Sequence, residues 1–272
     1  RTGQPLLWYR AAVTRSEPDP LEGQLYQDPL RPFTVADTLV SCAAWPVALS
    51  QMALWLLVFR ALDLTVLPGR RIDGLARLVC RLGTLSVGIR VRKHGLHNVV
   101  PGCSYVFALN HVSTLDTPVL VQSVPTYART FQEQSHFEIP LYGGFVRLMG
   151  QLPVARGDHE LNRRSYRQAL QMLRDGHSFA VFPEGHRTRD GRLGRFYDGG
   201  FRLAIEAGVP VLPVCTRGLR NLCPAREWRI RPGTVDVIFG APIATDDLIL
   251  DDAAELAART RRAMNELLQR GA

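Results

Sequence analysis

The stretch SYVFALNHVSTLDTP, residues 104–118, carries an apolar run into Asn110 and His111 and then meets Asp116, five residues past the histidine. On a continuous helix five residues turn the chain by roughly 500°, leaving the two side chains about 140° apart and out of contact. They can meet if His111 sits in the loop leaving a strand and Asp116 in the first turn of the following helix. Ser113, Thr114 and Pro118 suit such a helix start. A strand handing over to a helix is the unit from which α/β folds are built.

The same alternation continues outward. Short apolar runs predict strands at 104–109, 151–155, 178–182, 211–215 and 234–239, and polar-periodic stretches predict helices at 113–122, 140–149, 160–175, 197–207 and 251–269. The fold class is therefore α/β, with a mixed, mostly parallel sheet flanked by helices.

Toward the N-terminus the pattern changes. Residues 39–59 contain no charged side chain, and as a helix they are roughly 30 Å long, about the thickness of bilayer hydrocarbon. Trp45 and Trp55 suit a membrane interface, whereas Ser41, Pro46, Ser50 and Gln51 make a poor spanning segment. Residues 71–90 read as an amphipathic helix with Leu75, Leu78, Val79, Leu82 and Leu85 on one side and Arg77 and Arg81 opposite. An apolar helix followed by a basic amphipathic one predicts a two-helix membrane-associating segment. The expected organisation is an irregular extension over 1–35, a membrane-associating helical pair over 36–90 and a catalytic domain over 91–272. The sequence opens on Arg1 rather than Met, as expected of a piece of a longer chain, and no secretory signal is visible at its start.

Composition narrows the partners. The 272 residues include 33 basic against 25 acidic side chains, a formal charge of +8. A basic surface suits an anionic membrane or phosphorylated substrates, and no nucleic-acid-binding motif appears. Five scattered cysteines, never spaced C-x-x-C, argue against a zinc site and a disulfide framework and fit a reducing compartment. Neither G-x-S-x-G nor a phosphate-binding glycine loop of a nucleotide enzyme occurs.

Four blocks stand out, three of them for their chemistry. In NHVSTLD, a histidine at a strand end oriented by a carboxylate can take a proton from a hydroxyl; Ser113-x-x-Asp116 is equally a capping box. In FPEGHRTR, 182–189, a Pro-Glu-Gly turn leaving a strand places Arg187 and Arg189 at a sheet edge, and guanidinium groups match phosphate. Arg156 ends the strand in QLPVARGD. VPVLPV, 209–214, reads as architectural.

In this order and spacing, NHVSTLD, Arg156, FPEGHRTR and VPVLPV resemble the four motif blocks of the 1-acylglycerol-3-phosphate (lysophosphatidic acid) acyltransferase family, over roughly 90–245. The resemblance implies direct acyl transfer: His111 deprotonates the acceptor hydroxyl, Asp116 orients His111, and Arg156 and Arg187, with the Glu184-Gly185 turn, hold the acceptor phosphate. It also implies a lysophospholipid acceptor, acyl-CoA or acyl-carrier protein as donor, no metal or cofactor, and a place on the cytoplasmic face of a membrane. Two departures bear on the acceptor: His186 replaces the usual Thr, and Gln134 stands where many members carry Lys. They leave room for another lysolipid, such as a lyso-aminolipid. The remaining alternative is a non-catalytic membrane lipid-binding protein of this fold.

Overall fold

A computed structural model describes residues 30–61, 70–126 and 128–270. Most of the expected 1–35 extension lies outside these residues. Among the described residues seven strands form one sheet: β1 (Ile89–His94), β2 (Val106–Leu109), β3 (Ala128–Glu133), β4 (Leu152–Val154), β5 (Ser178–Val181), β6 (Val211–Arg217) and β7 (Gly233–Phe239). Their spatial order is β1-β7-β6-β2-β5-β3-β4. From β6 to β4 every pairing is parallel, with Val106 opposite both Phe179 and Val211. β7 runs antiparallel to β6, and β1 lies parallel to β7. The expected mixed, mostly parallel sheet is what forms.

Helices cover both faces because the central strands are apolar on both sides, as buried parallel strands must be. Val106, Ala108, Phe179, Val181 and Val211 pack under α5 (His159–Arg174), α6 (Gly199–Ala207) and α8 (Ala253–Arg270). Phe107, Leu109, Ala180, Leu212 and Val214 point to the other face. There they meet α3 (Asp116–Ser123), the short α7 (Leu219–Leu222) and part of α1 (Val35–Ala61). A smaller cluster joins Ala76 and Cys80 of α2 (Arg70–Ser86) to Val121 of α3, with Phe145 of α4 (Tyr142–Leu148) against it. All five cysteines are free.

Two expectations change. The amphipathic helix predicted over 71–90 stops at Ser86, because Gly88 turns the chain with φ +76° and its amide donates to the Leu85 carbonyl at 2.9 Å. That left-handed conformation is a glycine device for ending helices. Ile89 then opens β1, so the sheet begins before residue 91. The second change is β3, whose ARTFQE sequence lacks the β-branched run that would announce a strand. It forms because β5 and β4 flank it and the Gln151 side chain accepts from the Thr130 amide at 2.7 Å.

Among the described residues one helix is long and apolar enough to cross a membrane, α1, and only 11% of its apolar window is buried. Its Leu39, Leu54 and Leu57 side chains face outward. In α2 the face turned to the body is Ala76, Val79, Cys80 and Thr84, while Leu78, Leu82 and Leu85 form an exposed apolar stripe.

Candidate active site

The site is built at the C-terminal ends of β2 and β5, the edge where open α/β sheets bind ligands. As β2 ends, buried Asn110 bridges to β6: its Nδ2 donates to the Thr216 carbonyl at 3.0 Å, and its Oδ1 accepts from the Thr216 amide at 2.8 Å. This side chain continues the ladder where β2 has already left it, and so fixes where the next residue emerges.

That residue is His111. The 182–189 segment clamps its backbone, with the His111 amide donating to Glu184 Oε1 at 2.8 Å and its carbonyl accepting from the Thr188 amide at 2.7 Å. The ring stacks on Phe182 at 4.2 Å between centroids. Its Nδ1 lies 2.7 Å from Asp116 Oδ2. The same oxygen accepts from the amides of Val112 and Ser113 at 2.8 and 2.9 Å. Asp116 is fully buried in the first turn of α3. With two amides already donating to Asp116 Oδ2, the His111 contact is made through an Nδ1 proton, which turns the Nε2 lone pair away from the carboxylate; Asp116 Oδ1 is buried without a partner. The His111 side chain is 24% exposed, so substrate can reach the ring.

Ser113 also acts at the helix start: its amide donates to Asp116, and its Oγ accepts from the Leu115 amide at 3.1 Å. The expected Ser113-x-x-Asp116 capping box is therefore only half formed: Leu115 stands at the N-cap without a side-chain cap, and Asp116 alone reaches back, to the Ser113 amide.

The FPEG turn follows β5, with Gly185 donating to the Phe182 carbonyl at 3.0 Å and holding φ at +68°. Pro183 takes the second turn position, which its ring favours. Glu184 differs from its expected place at the phosphate. Its carboxylate turns inward, accepting from the amides of His111 and Gly194, and is 1% exposed. Burial pushes its pKa up to about 7, against the pull of those two amides. A buried acceptor already engaged by two backbone donors braces the loop rather than greeting an anion.

Arg187 is half-buried and acts electrostatically on the Tyr142 hydroxyl and the Cys223 thiol, opposing the upward push of burial on both. Arg156 is exposed just past β4, at the same sheet edge. Three strand positions separate β4 from β2, roughly 14 Å at the usual strand spacing. Arg187 directly precedes Thr188, whose amide donates to the His111 carbonyl, whereas Arg156 leaves the same sheet edge three strands away. Sequence reasoning missed Asn110, Thr188 and Tyr142 as parts of the site. The first two stand in the quoted blocks; nothing in the sequence marked Tyr142.

Fold and site together set a histidine, paired to a buried carboxylate, at an arginine-bearing edge of an α/β sheet. Residues 90–217 match the acyltransferase family model. A 1-acyl-sn-glycerol-3-phosphate acyltransferase of Brassica napus is 33% identical over 57% of this chain and 46% of its own length. The alpha enzyme of that name from Homo sapiens is 29% identical over 77% of this chain and 76% of its own length. The one from Pseudomonas aeruginosa is 28% identical over 71% and 74%. The chain spans about half the length of the chloroplast relatives it matches. The crystal structure of the lysophosphatidic acid acyltransferase PlsC from Thermotoga maritima superposes with a TM-score of 0.69. That match covers 86% of this chain and 97% of the other at 22% identity, a likeness of fold. The matched segment 90–217 contains both the His111–Asp116 pair and the 182–189 turn.

Proposed function

We propose that the chain transfers an acyl group from a thioester to the free hydroxyl of 1-acylglycerol-3-phosphate, giving phosphatidic acid. The observation that carries this reading is the 2.7 Å His111 Nδ1–Asp116 Oδ2 pair held beneath the Arg187 loop. His111 Nε2 takes the hydroxyl proton as the acceptor oxygen attacks the thioester carbonyl. The tetrahedral intermediate then expels the thiolate, which takes that proton back from Nε2. No acyl-enzyme forms, and the base needs no metal ion. Asp116 stabilises the transient imidazolium, and Arg187 and Arg156 hold the acceptor phosphate. Acyl-CoA or acyl-carrier protein supplies the thioester.

Membrane association follows from the exposed apolar faces of α1 and α2, and α1 lies in one leaflet. The body grips it near both ends: Ser41 Oγ exchanges hydrogen bonds with the Ile230 amide and carbonyl, Trp45 Nε1 donates to the Trp228 carbonyl, and Leu56 rests against Gly144. Ser41 and Leu56 are roughly 22 Å apart along the axis. A helix crossing the bilayer would carry one of them to the far side, away from the body. α1 and α2 thus act as a two-helix foot, on the cytoplasmic face where the thioester donors are made, with the catalytic domain beginning at β1.

The test measures transfer from labelled acyl-CoA to lysophosphatidic acid and to other lysolipids, wild type beside His111→Ala. Transfer to lysophosphatidic acid that falls by about 10²–10⁴-fold in the variant supports the reading. Transfer that survives in the variant sinks it, and transfer to another lysolipid alone would reassign the acceptor.

A further inference from the structure

A strained turn stands between the membrane-facing helices and the arginine loop. Leu141 has φ 62° and ψ −54°, a conformation that side chains rarely adopt. The turn closes through the Tyr142 amide donating to the Pro140 carbonyl at 2.7 Å, and the Gly143 amide donates to the Ile139 carbonyl at the same distance. This ordered turn buries neither of its apolar side chains, since Ile139 and Leu141 are 47% and 46% exposed. The turn seats Gly143 against the Phe137 carbonyl, with no room there for a side chain, yet it leaves Ile139 and Leu141 outside that packing.

Its neighbours lie on two sides. On one side α4 leads into the foot: Gly144 meets Leu56 of α1, and Phe145 packs with Ala76 and Cys80 of α2. On the other, half-buried Tyr142 feels Arg187, which also acts on Cys223 beside Asp116. The turn therefore joins the leaflet to the catalytic pair. A single-chain lipid delivering its phosphate to Arg187 must draw its chain part-way out of the leaflet, exposing methylenes to water.

We propose that Ile139 and Leu141 form an entry lip that holds the acyl chain of the lysolipid acceptor and sets a preference for long-chain acceptors. This rests on the acyltransferase reading above.

Leu141→Gly tests it without endangering the fold, because glycine adopts φ 62° freely; Ile139→Ser in the same background removes the second contact. KM and kcat are measured with a long-chain lysophosphatidic acid and with a short-chain, water-soluble one. Alongside them, binding of labelled long-chain lysophosphatidic acid and binding to phosphatidylglycerol-containing vesicles are followed. The expected result is a KM raised about tenfold for the long-chain acceptor, the size of one lost leucine contact. Vesicle binding, kcat and short-chain kinetics should hold. Equal losses on both acceptors, unchanged long-chain KM, or a fall in vesicle binding that accounts for the KM would each overturn the lip. Should wild type transfer to no lysolipid, the acyltransferase reading fails; weaker long-chain binding by the variants would still support the lip, and unchanged binding would overturn it.

Discussion

At the residue scale, one carboxylate oxygen of Asp116 holds the site together. Replacing Asp116 with Asn offers the three donors a weaker, neutral amide oxygen and puts an NH2 in the place of Oδ1, which is buried without a partner. The expected cost is about 1–3 kcal/mol of stability, with kcat falling at least about 10²-fold and KM little changed; a kcat close to wild type would remove Asp116 from the mechanism. Glu184 gives a pH signature. With its pKa raised from 4.5 to about 7, it binds its proton more tightly folded than unfolded. It therefore favours the folded state most in acid, and that preference is lost as pH rises from about 4.5 through about 7. The shift corresponds to roughly 3 kcal/mol. Denaturant midpoints of wild type and Glu184→Gln, compared at acid and at mildly alkaline pH, should show wild type losing ground by up to that amount as pH rises. A constant difference would mean that Glu184 stays ionised throughout.

At the element scale, α1 is held by directional contacts rather than by a broad apolar face. Ser41 Oγ is buried between the Ile230 amide and carbonyl. Asp37 pairs with Arg231 at 3.1 Å and is held at about 2 by it. Ser41→Ala should leave the Ile230 amide unsatisfied and cost about 1–3 kcal/mol in chemical denaturation; a neutral result would show water reaching that amide. For α2 the prediction concerns the outward stripe. Replacing Leu78, Leu82 and Leu85 with Ser should weaken vesicle binding by an order of magnitude or more, at roughly 25 cal/mol per Å² of apolar surface, while circular dichroism holds. Undiminished binding would take α2 out of the foot.

At the scale of the whole molecule, charge and apolar surface work together. The formal charge of +8 attracts anionic lipid over about a Debye length, ~8 Å at physiological salt. Binding to anionic vesicles should therefore weaken from low to high salt, whereas binding to neutral vesicles, carried by α1 and α2, should not. Salt-insensitive binding to both would leave the arginines with the substrate phosphate alone. The sheet sets the remaining geometry. Because five strands run parallel from β6 to β4, His111, the FPEG turn and Arg156 all emerge at one edge. The reversed β7 and β1 extend the sheet on the side away from β5 and β4.

The sequence alone determined the α/β class, the mostly parallel sheet, the His111–Asp116 pairing and the arginine block. Each rests on short-range regularities: apolar periodicity, a five-residue spacing across a strand-to-helix turn, a Pro-Glu-Gly turn. Tertiary structure decided what depends on partners distant in the chain. Glu184 stands in a block that reads as phosphate-binding, yet it faces the amides of His111, 73 residues away, and of Gly194. β3 exists because β4 and β5 flank it. α1 lies along the body because loop residues 228–230 and α4 meet it near its two ends. Local pattern follows from backbone geometry and solvation, which every residue carries with it. Register, burial and hydrogen-bond partners come into being only when remote segments exclude water together.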